Sequence, residues 1–139
     1  HDKRLPADLA YSVLENKNIE LFSNGKSTRT FCYISDAITG YIKALLYDNF
    51  DCFNIGNDSQ ELTVEDYSKI FLKKAKLLFG YDKKILFKKN KDKNYIVDNP
   101  SRRKPDLSKA KKKLNYKPSI STSDGIERYL RYLTEWKFS

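Results

Sequence analysis

A turn, a short strand and a helix follow one another closely within residues 23–44, and this run constrains the fold more than any other stretch. Residues 23–25 are polar and end in glycine, which predicts a turn. The β-prone residues 28–34 predict a strand, and Ser35 or Asp36 is placed to cap the helix that follows. In that helix the apolar residues recur at the spacing of one buried face. They are Ala37, Ile38, Tyr41, Ile42, Leu45 and Leu46.

Arg29 lies where the predicted turn becomes the predicted strand. Its guanidinium is planar and permanently charged, and on a rigid element such a group suits a phosphate or a carboxylate. An ordinary surface arginine fits the same pattern. The residues around it therefore make Arg29 a candidate anion ligand without deciding the matter.

Three sequence motifs occur in a fixed order along the chain. Residues 28–38 read T-R-T-F-C-Y-I-S-D-A-I, residues 53–56 read F-N-I-G with L-T-V at 62–64, and residues 103–118 read R-K-P-D-L-S-K-A-K-K-K-L-N-Y-K-P. Together they resemble the nucleotide-sugar epimerases and dehydratases, which are the extended short-chain dehydrogenases. The resemblance covers nearly the whole chain.

The resemblance implies an α/β fold, or α+β for this piece taken alone. Residues 1–139 would form a single carboxyl-terminal lobe that binds substrate, together with the last strand or two of a Rossmann-type sheet. The amino-terminal NAD-binding domain of such enzymes would lie outside this chain. Its G-x-x-G-x-x-G turn and its Y-x-x-x-K pair are both missing here. We therefore expect no catalytic residue in this piece, no activity from it alone, and NAD bound mainly by the missing part.

The resemblance also implies which residues contact a nucleotide-diphosphate-sugar substrate. Arg29 is the first candidate for the diphosphate, followed by Arg103 and Arg102, although many relatives carry an R-P-G-[DH] sequence where residues 98–101 stand here. Asn54 and Phe22 are further candidates for the sugar or the nucleotide. By their own context, Asn54 could instead satisfy backbone groups, and Phe22 could be a core aromatic at a strand end.

Within the family, the tail at residues 103–111 favours a member similar to UDP-glucuronate decarboxylase or dTDP-glucose 4,6-dehydratase, with a plain 4-epimerase left open. Such enzymes use NAD transiently: C4 of the sugar is oxidised, the ketone is transformed, and hydride is returned or retained. The part played by this lobe would be to orient the sugar through binding energy from the diphosphate and the base.

Composition bears on which other functions this chain could have. The net charge of +9 could indicate a basic, non-catalytic nucleic-acid-binding module, but the lysines are spread over several elements and we expect solvated faces instead. A carbohydrate-binding or scaffolding domain is a third alternative.

No apolar run approaches the roughly 20 residues of a membrane span, so no membrane partner is expected. Cys32 and Cys52 are expected to be buried free thiols of a cytoplasmic protein, and with His1 the only histidine no metal site is expected.

Periodicity predicts the remaining elements in chain order. We expect a helix over residues 2–16, a strand over 19–22, an edge strand over 51–55, a helix from Thr63 to Gly80, and a strand over 84–87. Residues 88–103 read as a loop, and residues 106–114 as a short helix. A last helix begins near Ser121 or Ser123. Its apolar stripe is Ile126, Leu130 and Leu133, flanked by Tyr129 and Trp136.

Overall fold

Five helices and five short strands build the part of the chain that the computed structural model describes, which is residues 4–88 and 100–137, without the side chains of 136 and 137. The helices are α1 Leu5–Leu14, α2 Ile34–Leu45, α3 Val64–Phe79, α4 Ser108–Leu114 and α5 Thr122–Lys137. The strands are β1 Ile19–Leu21, β2 Thr28–Thr30, β3 Glu61–Thr63, β4 Ile85–Phe87 and β5 Arg102–Arg103. The mixed helix and strand content confirms the expected fold class.

The strands form two small sheets. In the first, β1 and β4 run parallel, with Ile19 opposite Ile85. In the second, β2 is the middle strand: it pairs antiparallel with β3 and parallel with β5. Because β5 lies within residues 88–103, the prediction of an unstructured loop there was wrong at its end. Residues 89–99 of that segment lie outside the described residues.

The main core forms where α1, α3 and α5 pack together with β1. Its fully or nearly fully buried side chains include Leu9, Ile19, Phe71, Ala75 and Leu130. The sequence predicted all three helices, and the burial of Ile126 and Leu130 confirms the apolar stripe expected for α5. Burying one such large apolar side chain contributes about 1.5–3 kcal/mol, so this cluster is the principal source of stability.

Helix α3 begins and ends where the sequence predicts. The Oγ1 of Thr63 accepts a hydrogen bond of 2.9 Å from the backbone N–H of Asp66 and donates one of 2.6 Å to the carboxylate of Asp66. This pairing satisfies the backbone N–H of Asp66, one of the first-turn groups that lack a partner within the helix. Gly80 ends the helix in the left-handed region, with φ of 65°.

A second, smaller core lies under α4. Leu107, Ala110, Leu114 and Tyr116 are buried there against the half-buried Ile55 and its neighbours. The short helix is confirmed, although it begins at Ser108 rather than at residue 106. Asn115 closes it with φ of 46°, which is a conformation more often taken by glycine.

Helix α2 corrects two predictions. It begins at Ile34 after Tyr33, with no side-chain cap, so the expected cap at Ser35 or Asp36 is wrong. The apolar stripe that periodicity assigned to a buried face is instead exposed. Its exposed members are Ile38, Tyr41, Ile42, Leu45 and Leu46, and Ile34 and Phe50 beside them are exposed as well.

The predicted edge strand at residues 51–55 is absent, since this described segment has no strand pairing. Ile55 instead packs into the second core, and the ring of Phe53 meets Tyr47 edge to face at 5.2 Å. The apolar residues of this run are therefore held by side-chain contacts rather than by a ladder of backbone hydrogen bonds.

Candidate functional site

The middle strand β2 carries Arg29, and the register of the sheet determines what lies beside it. Arg29 is opposite Leu62 on β3 and opposite Arg103 on β5. Paired residues on neighbouring strands project from the same face of a sheet. Two arginines and one leucine therefore occupy adjacent positions on one face. Since Leu62 packs against the main core, this face adjoins the interior.

The two arginines differ in their surroundings. Arg29 is half-buried, and its Nη1 donates a hydrogen bond of 2.7 Å to the carbonyl oxygen of Thr28. Arg103 is exposed, and its side chain has no hydrogen-bond or ion-pair partner in the part of the chain that the structure describes. Like charges at directly opposite positions destabilise a strand pair. An anion bound between them would convert that repulsion into charge-assisted hydrogen bonding.

The opposite face of the same sheet holds an ion pair. The carboxylate of Glu61 accepts hydrogen bonds from Arg102, at 2.8 Å from Nε and 2.9 Å from Nη2, and from Thr28 Oγ1 at 2.6 Å. The Arg102 guanidinium, followed by the Thr28 hydroxyl, lowers the pKa of Glu61 to about 2. Arg102 therefore has a bidentate carboxylate partner on the face away from Arg29, and its role as a diphosphate ligand stays a prediction.

Asn54 and Phe22 lie outside the sheet that carries the arginine pair. Asn54 Nδ2 donates a hydrogen bond of 3.1 Å to the carbonyl oxygen of Asp106, so it satisfies a backbone group of the segment that follows β5. Phe22 follows β1 in the other sheet and is 45% exposed, which contradicts a core position. An exposed aromatic ring at a strand end is available to stack on a planar group. A substrate contact of either residue stays a prediction.

Sequence reasoning missed the residues that hold the three motifs together. Asp36 is buried, and its carboxylate accepts hydrogen bonds from the backbone N–H groups of Ser119 and Ile120 at 3.0 and 2.9 Å. Tyr116 Oη donates to the carbonyl oxygen of Gly56 at 2.8 Å. Cys32 Sγ lies 3.7 Å from the same Tyr116 Oη, so each motif contacts another one in space. The signal that could have found Asp36 is a lone carboxylate among apolar residues.

Cys32 and Cys52 are free thiols, but only one is shielded from solvent. Cys52 is exposed, so its predicted burial is wrong, and Cys32 is half-buried. Burial raises the pKa of the Cys32 thiol above its ordinary value, which disfavours the reactive thiolate. Within residues 4–88 and 100–137, no group of three potential metal ligands is found.

Two cavities in the described part of the chain are lined by residues other than the five candidates. One, of about 480 Å³, lies at the end of α3 beside Tyr81 and Leu130. The other, of about 360 Å³, is lined by residues 30–34 and by Tyr67 and Tyr129. Among the helices of the described residues, none combines the length and the apolar character that a membrane crossing requires.

Solved structures share this fold. UDP-glucuronic acid 4-epimerase from Bacillus cereus, in complex with UDP-glucuronic acid and NAD, matches with a TM-score of 0.78 and 27% identity. The match covers 96% of this chain and 40% of that one. UDP-glucose 4-epimerase from Thermotoga maritima, with UDP-glucose, gives a TM-score of 0.80 at 23% identity, with the same coverage. The second match shows the fold alone.

Sequence comparisons agree with the structural ones. The model of the "NAD dependent epimerase/dehydratase family" matches residues 1–56. UDP-glucuronic acid decarboxylase 1 of Arabidopsis thaliana is 32% identical over 127 residues, covering 91% of this chain and 27% of that protein. These matches show that the chain is similar to the NAD-dependent epimerase/dehydratase family. UDP-glucuronic acid decarboxylase 1 of Xenopus tropicalis is 29% identical over 133 residues, covering 95% of this chain and 29% of that protein.

Two features of these matches bear on what the chain can do. The helices and small sheets of the chain match Rossmann-like family structures, as the sequence predicted. The chain spans well under half the length of the relatives and structures that it matches. What the whole protein does is therefore a matter of proposal.

Proposed function

We propose that this chain is the substrate-binding part of an NAD-dependent enzyme that modifies the sugar of a nucleotide-diphosphate-sugar. The observation that carries the proposal is the register of β2 and β5, which pairs Arg29 with Arg103 on one face of a sheet. Two arginines on neighbouring strands, about 5 Å apart at the backbone, are placed so that both long side chains can reach one diphosphate. Arg29 and Arg103 bind the diphosphate, and Arg102 is a weaker candidate because Glu61 engages it.

The chemistry takes place away from this diphosphate site. In the proposed enzyme NAD is held mainly by a dinucleotide-binding part outside residues 1–139, which also supplies the catalytic residues. This chain contributes position: binding energy from the remote diphosphate orients the sugar against the nicotinamide. Phe22, exposed at the end of β1, stacks on the base, and Asn54 lies closer to the sugar.

The similarity to UDP-glucuronic acid decarboxylases favours that branch over the others. Such a reaction removes a carboxylate from the sugar of a UDP-sugar, so the substrate carries a further negative charge beside the diphosphate. A chain with net charge +9 suits a substrate of this kind. A dTDP-glucose dehydratase or a 4-epimerase would use the same diphosphate contacts.

The exposed apolar face of α2 is the surface that meets the dinucleotide-binding part. Seven large apolar side chains there are 48–103% exposed: Ile34, Ile38, Tyr41, Ile42, Leu45, Leu46 and Phe50. A patch of this kind on a protein surface marks an interaction site. When the chain is alone, the same patch leads to self-association. The free thiols fit our further proposal of a cytoplasmic location.

The test uses the natural protein that carries this chain together with a dinucleotide-binding part. UDP and dTDP are titrated into the wild type, Arg29→Ala and Arg29→Lys, with thermal melts of each. Removing one partner of a buried charge pair costs about 2–5 kcal/mol, and we expect a loss in this range for Arg29→Ala. Arg29→Lys should recover only part of the affinity, because lysine keeps the charge but lacks the fork.

Arg131→Ala is the matched control, since this arginine is an exposed partner of Glu127 on α5, away from the sheet. It should leave the nucleotide affinity unchanged. Equal affinities of the wild type and Arg29→Ala would refute the diphosphate role, and a lowered melting temperature alone would leave Arg29 a structural residue. Binding to nucleic acid that weakens steeply with salt, without affinity for UDP or dTDP, would favour the basic-module alternative instead.

A further inference from the structure

Strand β5 is the weakest part of the proposed diphosphate site. It contains two residues, and its alignment on β2 is set by the register Thr28 to Arg102 and by a backbone hydrogen bond of 2.8 Å from Thr28 N to Ser101 O. So short a ladder specifies register poorly. A slip of one residue would transfer each side chain to the other face of the sheet, and Arg103 would then leave Arg29.

The side chain of Glu61 fixes the register of β5 that the short ladder alone does not fix. It lies on β3, and its carboxylate reaches across the middle strand to hold Arg102 by two hydrogen bonds and Thr28 by a third. All three strands of the sheet are thereby tied on one face. Since successive side chains alternate between faces, holding Arg102 on the Glu61 face sends Arg103 to the other one.

We propose that Glu61 is a positioning residue of the diphosphate site: by holding Arg102 on one face of the sheet, it sets Arg103 beside Arg29 on the other. This inference rests on the proposed function and adds a residue to it. Glu61 touches no substrate. The Glu61 side chain is only 21% exposed, and its low pKa keeps the carboxylate charged at any pH used for binding assays.

A second account of the same contacts makes the opposite prediction. If Arg102 itself binds the diphosphate, then Glu61 competes with the ligand for its guanidinium. Removing Glu61 would release Arg102 and strengthen binding. If Glu61 positions Arg103, removing it lets β5 move and weakens binding. The direction of change in UDP affinity therefore separates the two.

The experiment measures UDP affinity, by calorimetric titration, in the natural protein and in four variants: Glu61→Ala, Glu61→Gln, Arg103→Ala and the double variant Glu61→Ala with Arg103→Ala. We expect Glu61→Ala to weaken UDP binding about 10-fold, because a small misplacement of a binding group is costly. Glu61→Gln keeps the shape and one acceptor, so its loss should be smaller. In the Arg103→Ala background, Glu61→Ala should change affinity by less than about 2-fold, since the residue it positions is gone.

Glu127→Ala is the matched control. Glu127 also bridges two cations, Lys74 of α3 and Arg131 of its own helix α5, but it belongs to neither sheet. It changes the net charge by the same amount and should leave UDP affinity unchanged. If Glu61→Ala does not fold, the Glu61→Gln measurement decides.

Each outcome has a separate meaning. Tighter UDP binding by Glu61→Ala, or unchanged binding with only a lower melting temperature, overturns the positioning role. Equal losses from Glu61→Ala in the presence and absence of Arg103 also overturn it. If Arg29→Ala weakens binding while both Glu61 variants bind normally, the proposed function stands and this inference alone fails. If the wild type binds neither UDP nor dTDP, both fail.

Discussion

Helices α2 and α3 have similar apolar stripes but opposite environments. In α3 the stripe centred on Phe71 is buried against α1 and α5. In α2 the stripe centred on Tyr41 and Ile42 is exposed, and the buried positions are a carboxylate, Asp36, and a glycine, Gly40. The two helices thus contact the rest of the chain through different kinds of surface, one through large apolar side chains and the other through small and polar ones.

The difference teaches what an apolar period can and cannot indicate. It identifies the apolar face of a helix, and it did so for both helices, although only the α3 face is buried in this chain. It does not say which polypeptide segment covers that face. The covering surface for α3 is within this chain. For α2 we assign it to the dinucleotide-binding part of the proposed enzyme.

The largest expected effect separates the two stripes by stability. Phe71 is fully buried, so Phe71→Ala should lower the free energy of unfolding by about 3–5 kcal/mol through lost burial and a cavity. Tyr41→Ala removes an aromatic side chain that is 60% exposed in α2, and it should change that free energy by less than about 1 kcal/mol. Urea unfolding of the two variants measures both values. Similar losses would mean that the two stripes are equally covered and that the comparison is mistaken.

A smaller effect is expected from the buried side of α2. A Cβ added at Gly40 would overlap Ile55 Cγ2 and come within 3.0 Å of Tyr116 Cε2. Both neighbours belong to the second core, which is close-packed. Gly40→Ala should therefore destabilise the chain by about 1–3 kcal/mol, although alanine favours a helix.

Thr39→Ala, at the exposed neighbouring position, is the control for the gain in helix propensity. It should leave the free energy of unfolding within about 0.5 kcal/mol of the wild type. Stabilisation by Gly40→Ala in thermal and urea unfolding would show that the small-residue contact of α2 is loose and does not anchor the helix.

Local signals predicted the elements of the fold well. The Thr63–Asp66 cap, the stop at Gly80 and the periodicity of α1, α3 and α5 depend on residues close in sequence, and they are all observed. The predictions failed where residues distant in the sequence determine the contacts of a side chain. Asp36 resembles a helix cap locally, but its carboxylate accepts hydrogen bonds from the backbone N–H groups of Ser119 and Ile120 instead.

The candidate site shows the same limit. The motifs indicated Arg29, Arg102 and Arg103, yet nothing in the sequence shows which arginine lies beside Arg29. That depends on the register between β2 and β5 and on the carboxylate of Glu61, which is more than thirty residues away in the chain. Strand pairing determines which side chains of neighbouring strands share a face of the sheet. The periodicity of a single sequence does not contain this information.

The smallest expected change in stability tests what covers α2. Leu45 is 82% exposed within the α2 patch, and Leu77 is 76% exposed on α3. Leu45→Lys and Leu77→Lys should each change the stability of this chain by less than about 0.5 kcal/mol, since neither removes a buried contact. Sedimentation velocity over a range of concentrations should nevertheless distinguish them. Only Leu45→Lys places a charge in the apolar patch, so only it should reduce self-association.

The same pair of variants then tests the assigned partner of the patch. In the natural protein that includes a dinucleotide-binding part, Leu45 would be buried, and Leu45→Lys should cost at least about 2 kcal/mol because it removes a leucine and buries a charge. Leu77→Lys should remain neutral there. A chain that is monomeric at every concentration, together with a Leu45→Lys variant that is neutral in the larger protein, would show that nothing covers α2. The exposed stripe would then be an ordinary surface, and the contrast with α3 would carry no information about a missing domain.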